Sequence, residues 1–206
     1  GTKLDYPVMQ SSADNANYYL YRDYNGANSS RGSIYAREEC DIFTPSDNIT
    51  MYGHNMKDGS MFAALNAYVN KSAFDNNPLI FFDTFNHKTR EVGYHVYKIF
   101  AVFKTTANLG EGFTYQKFEN AANQEEFDKF VSTCKSMSFY DTGVTPQYGD
   151  KMICLSTCEY TLDMAAWLLR QCASADFFRA APRNSSAAVN GSFHRLCGSE
   201  SGRYTE

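Results

Sequence analysis

Two side chains 104 residues apart, Cys158 and His54, have the types and settings for covalent chemistry. Cys158 closes "KMICLSTC", an apolar run of strand character that ends in the small hydroxyl residues Ser156 and Thr157. A strand end is a rigid place from which to present a nucleophile to a loop-lined cleft. His54 sits in "MYGHNM", where a second strand-like run enters a turn and Gly53 lets neighbouring backbone approach. A catalytic thiol needs a base or ion-pair partner and donors for the developing oxyanion. A Cys and a His distant in sequence meet routinely in space. Pattern alone leaves a quieter reading open: Cys158 as a small buried hydrophobe and His54 as a hydrogen-bonded turn residue. The chain would then be a non-catalytic β-barrel binding module. A papain-like hydrolase fits less well, because the His precedes the Cys and the Cys is not borne on a helix.

The elements that must position this pair read as follows. "GSIYA" and "NITMYGHN" are short strands, the second ending in a Gly-containing turn. "DGSMFAALNAYVN" carries Met61, Leu65 and Tyr68 at helical spacing with Ser60 as its cap. "LIFFDTF" after Pro78 is a strand, and Asn86-His87-Lys88 turns it into "REVGYHVYKIFAVFKTT". That long run is apolar on both faces, as a central strand requires, which accounts for His95; the turn accounts for His87. "FTYQKF" is expected to continue the sheet. "NQEEFDKFVSTCKSM" places Phe127, Phe130, Val131 and Cys134 on one helix face with acidic residues in its first turn, and "TGVTPQYGD" is a loop. A weaker amphipathic stretch near Leu20 suggests an N-terminal helix.

The bulk properties exclude several classes. A chain of 206 residues with 16% aromatic content suits one β-rich domain. A net charge of -4 supplies no basic face for nucleic acid. No apolar run is long enough to span a membrane. The chain opens on Gly1-Thr2 with neither an initiator Met nor a signal-peptide pattern. It reads as a cut edge, from which a native membrane anchor is expected to have been removed. None of the six cysteines forms a CxxC pair and no His stands at ligand spacing beside them, so neither a metal site nor a disulfide framework is expected.

"LSTC" at the end of an apolar strand, with "YGHNM" upstream, resembles the sortases, cysteine transpeptidases of Gram-positive cell surfaces. Their hallmark is a TLxTC-type motif, in which Cys154 here stands at the first position. The helix around residues 123 to 138, between two late strands, resembles the insertion that marks class B, and matching features run from Tyr6 to Asp163. The resemblance implies an eight-stranded β-barrel with peripheral helices and a reaction in two halves. Cys158 would attack the Thr–Gly or Thr–Asn bond of a five-residue sorting signal in surface proteins, giving a thioacyl enzyme. A peptidoglycan-precursor amine would then resolve it. His54 would be the acid and base, and Thr157 would help hold the oxyanion. Ser156, Asn55 and Tyr148 would help bind substrate. The resemblance implies no cofactor, no metal, and a place on the extracellular face of the cell membrane of a Gram-positive bacterium.

One feature of that family is displaced. An arginine is expected on the strand after the nucleophile, about eight to ten residues beyond it, but Ala166 occupies the eighth position and the first arginine is Arg170. The surrounding "DMAAWLLRQCASADFFRAAPRNSS" reads as an Ala- and Leu-rich helix. Met and Trp have single codons, so this segment constrains its DNA. Restoring one nucleotide after Asp163 permits Asp-Asn-Gly-Arg-Met-Val-Val-Thr-Ala, an arginine followed by a Val-rich strand. The expectation is therefore a catalytic domain over 1–163 and a frameshifted tail over 164–206, including Cys172, His194 and Cys197. The last barrel strand would be missing, and Arg170 would stand in only weakly for the expected arginine.

Overall fold

The structure, a computed structural model, describes residues 4–106, 112–159, 167–175 and 195–199. Its strands are β1 Asp5–Gln10, β2 Ile34–Ala36, β3 Asn48–Tyr52, β4 Leu79–Phe85, β5 Val92–Thr106, β6 Lys151–Glu159, β7 Trp167–Ala175 and β8 Arg195–Ser199. Its α-helices are α1 Lys71–Asn76 and α2 Gln124–Met137. The strands pair in the order β1-β2-β3-β6-β7-β5-β4-β8, and β8 also pairs with β1. The central member of the part that matters here is β6. It runs parallel to β3 on one side and antiparallel to β7 on the other.

Alternation along β6 explains why its sequence is apolar throughout. Ile153 and Leu155 join Ile49, Met51, Ile99 and Val102 in the main core. Met152 and Cys154, of opposite parity, join Phe127, Phe130, Val131 and Cys134 of α2 in a second core. Period-2 and period-3.6 apolar faces thus meet on the outer side of the sheet. The helix is set by its N-terminal end: Asn123 accepts from the Glu126 backbone N–H, and the Glu126 carboxylate accepts from that of Ala122. A register irregularity between Ile99 and Ala101 puts both Phe100 and Ala101 under α2. Among the described residues the first half of β5 has no such cover, and Tyr94 and Val96 are exposed there.

Four sequence expectations are corrected. No N-terminal α-helix exists among the described residues: 13–15 and 18–21 form 3-10 turns, and the first α-helix begins at Lys71. The short polar side chains of this region bond locally, as Asp23 does to the backbone of Asn25 and Ala27, and compete with helix formation. Phe62–Val69 is 3-10 rather than α. Its flanking residue is Met61 at φ 56, while the Ser60 hydroxyl donates to Asp58 instead of capping. "FTYQKF" does not extend the sheet; Tyr115–Lys117 is a 3-10 turn that drives Tyr115 into the second core. Within 164–206, β7 and β8 are strands, so the helix expected around Arg170 is a strand and the sheet is not short of its last members. β7 is held by pairing along both edges, to β5 and β6, and such tertiary pairing overrides the helical propensity of Ala and Leu. Among the described residues, no helix is long and apolar enough to cross a membrane.

Candidate active site

The site is built by the β3–β6 ladder. Its last regular pair is Tyr52 with Ser156. The chain then leaves β3 but stays bound to β6: the Gly53 N–H donates to the Ser156 carbonyl at 3.1 Å. The Thr157 hydroxyl donates to the Gly53 carbonyl at 2.8 Å. Carrying the parallel register two residues past Tyr52–Ser156 brings His54 level with Cys158. On the other side of β6, Cys158 pairs with Leu168 and Ser156 with Arg170. Paired residues share a sheet face, so Arg170 belongs to the Ser156–Cys158 face. It lies two positions from the Cys158 level, about 6–7 Å along the strand. Three adjacent segments therefore bring the nucleophile, base and arginine candidates to one end of the sheet.

Gly53 is required by packing rather than by a left-handed backbone. A Cβ there would lie 2.4 Å from Ile34 Cδ1 and 2.7 Å from a Phe62 ring carbon. Both neighbours are fully buried, so neither can yield easily. Gly53→Ala is expected to cost about 1–3 kcal/mol of stability, the usual range for overpacking. It is also expected to shift the residue that follows, lowering activity beyond the loss of folded protein. Thermal unfolding and activity per folded molecule check the two effects separately.

His54 is half-buried, and its ring meets the edge of Tyr21 with centroids 5.7 Å apart. Its carbonyl accepts from the Phe62 N–H, and Asn55 bridges to Met61, so the turn is closed from behind. Burial holds the imidazole pKa below the ordinary 6.5, leaving it neutral at pH 7 and able to accept a proton. Tyr21 is 62% exposed and forms a rim beside His54. It was not singled out from the sequence, because the tyrosine-rich opening segment carries no periodic signal to mark which ring turns toward the site.

The other candidates divide. Asn55 stays in the His54 turn, its Oδ1 accepting from the Asn66 side-chain amide at 3.0 Å. Thr157 is 2% exposed and its hydroxyl proton goes to Gly53, so that hydroxyl does not donate to an oxyanion in this arrangement. Ser156 is 1% exposed and bonded to the buried Tyr115 hydroxyl at 3.1 Å, which makes it a support beneath the site, out of substrate's reach. Tyr148 is placed elsewhere. Its ring packs on Phe127, whose ring meets Phe118, and the Phe118 carbonyl is bonded to the side chain of Asn48 at the start of β3. Asn48 pairs with Met152, six residues before Cys158 and about 20 Å back along the strand.

The other cysteines and histidines with described side chains have packing or hydrogen-bonding settings of their own. Cys40, Cys134 and Cys154 are buried, and desolvation pushes the Cys40 thiol up to about 11. His95 bonds to Thr84, and His87 packs edge-on against Phe85. Among the described residues, no group of His, Cys, Asp and Glu could hold a metal ion. Cys172 and Cys197 lie at register positions in β7 and β8, and His194 lies outside the described residues.

No protein-family model matches the chain. Its sequence is 35% identical over 162 residues to sortase B of Listeria monocytogenes, a match that covers 79% of this chain and 61% of that protein. The chain thus spans about three-fifths of that relative's length. Among solved structures, Clostridium perfringens sortase B superposes with a TM-score of 0.69 at 25% identity, covering 85% of this chain and 88% of that one. A Staphylococcus aureus sortase B–substrate complex gives a TM-score of 0.71 at 22% identity, covering 87% and 77%.

Proposed function

Because the chain is related to the class B sortases over most of its length, we propose that it is a cysteine transpeptidase of that class. In this reading Cys158 is the nucleophile and His54 its acid and base. The thiol proton passes to the His54 imidazole as Sγ attacks the carbonyl carbon of the Thr of a sorting signal. The C–N bond breaks, the proton leaves on the departing amine, and a thioacyl enzyme remains. An amine of a peptidoglycan precursor then attacks the thioester and gives its proton to His54, and the Cys158 thiol is regenerated. Each step is an acyl and proton transfer that needs no metal or cofactor. Arg170 would supply positive charge to the oxyanion from β7.

The observation that carries this reading is the parallel β3–β6 register, which ends at Tyr52–Ser156, two residues short of both His54 and Cys158. The eight mutually paired strands support a sortase-type barrel as its frame. The reading includes a setting on the extracellular face of a Gram-positive cell membrane. It also keeps residues 164–206 as a frame-shifted replacement for the native last segment, to be checked by sequencing the gene across the Asp163 codon.

Incubation with a panel of sorting-signal pentapeptides is the test. A mass increment on Cys158 equal to the acyl fragment, discharged by added amine, is expected for at least one peptide. Absence of any adduct across the panel, with peptide binding retained, would leave the binding-module reading instead.

A further inference from the structure

Two hydrogen bonds join the residue before the proposed base to the two residues before the proposed nucleophile. The Gly53 N–H donates to the Ser156 carbonyl, and the Thr157 hydroxyl donates to the Gly53 carbonyl. The second bond is made by a side chain where the backbone ladder has already ended at Tyr52–Ser156. It spans 104 residues of sequence and is fully buried. Gly53 itself cannot be enlarged, since a Cβ would collide with Ile34 and Phe62. The peptide that leads into His54 is therefore fixed from one side by packing and from the other by a single hydroxyl.

We propose that Thr157 is a positioning residue for His54: its hydroxyl sets the distance between the His54 imidazole and the Cys158 thiol by clamping the Gly53 carbonyl to β6. This inference rests on the transpeptidase reading above and assigns Thr157 a duty different from an oxyanion contact. The residue type follows from the geometry. A β-branched side chain has few χ1 choices on a strand, so the hydroxyl is presented in one direction. Serine keeps the donor with more freedom. Valine keeps the shape and loses the donor, leaving a buried carbonyl without its partner. A displacement of about 1 Å in a catalytic group can cost roughly a hundredfold in rate.

The experiment measures kcat and KM for a reactive sorting peptide, together with the pH profile of Cys158 alkylation by iodoacetamide. Alkylation by this neutral reagent forms no oxyanion, so an oxyanion donor does not influence it. The set is the parent chain, Thr157→Val, Thr157→Ser and His54→Ala. The expected result is a fall in kcat of about 10- to 100-fold for Thr157→Val with KM within about threefold. Its alkylation profile should move toward that of His54→Ala, and Thr157→Ser should stay close to the parent in both. Thr157→Val with reduced kcat but the parent's alkylation profile would overturn the inference in favour of an oxyanion contact, while leaving the function intact. If His54→Ala leaves both alkylation and turnover unchanged, the base assignment and this inference fall together. Should Thr157→Val fail to fold, Thr157→Ala and Thr157→Ser are read against each other by the same profiles, and equal profiles overturn the inference.

Discussion

Cys158→Ala is expected to reduce transpeptidation to background, at least about 10⁴ below the parent, since removing a nucleophile forfeits the covalent route entirely. Cys40, Cys134 and Cys154 are not placed to replace it. All three are buried, and Cys154 lies four residues back along β6, about 13 Å from the Cys158 level and under α2. Stability should hardly change, because the substitution removes one sulfur atom at the penultimate residue of β6. Peptide affinity should also survive, since binding and chemistry use different groups. Product formation by chromatography, thermal unfolding and peptide binding by calorimetry read the three effects apart. Residual turnover within about tenfold of the parent would place the nucleophile elsewhere in the molecule.

What is legible in the sequence, in the frame and in the candidate site alike, is what local chemistry and period mark. Cys158 and His54 are marked by local chemistry: a thiol after two hydroxyl residues at a strand end, an imidazole after a glycine in a turn. Helix α2 is marked by period and cap together, and Asn123, Glu126 and the buried face Phe127, Phe130, Val131 and Cys134 agree with both. What the sequence hid are features decided by partners distant in the chain. Trp167–Ala175 is rich in Ala and Leu, yet pairing with β5 and β6 along both edges makes it a strand. "FTYQKF" has strand composition, yet Tyr115 turns inward to meet Ser156 forty-one residues later. The Thr157 hydroxyl looked available for an oxyanion until its acceptor, the Gly53 carbonyl, was visible across the ladder. Tyr148 followed a similar course: exposed and near Cys158 in sequence, it is tied by Phe127 to the far end of β6.

His54→Gln should produce the second large effect, a fall in kcat/KM of about 10²–10⁴, the range that positioned proton transfer supplies. The substitution keeps a polar side chain of similar reach in the turn and removes the titrating group. Burial is the cause that depresses the His54 pKa, so the acidic limb of the parent's pH–rate profile should have its apparent pKa below 6.5. That limb should vanish in the variant, while any basic limb set by other groups remains. Stability gives an independent reading with a definite sign. A histidine whose folded pKa lies below its unfolded value binds its proton more weakly when folded. Its contribution is therefore present above about pH 6.5 and is lost as pH falls through the folded value. Thermal unfolding between pH 7.5 and 5 should show the parent losing stability on acidification and the variant losing less. The difference should not be complete, because desolvation also lowers the His95 pKa, and that residue titrates in both proteins with the same sign. An unchanged acidic limb in His54→Gln would show that the proton in question belongs to another group. A parent and variant that acidify in parallel would show that the His54 ring is as free to charge in the folded protein as in the unfolded chain.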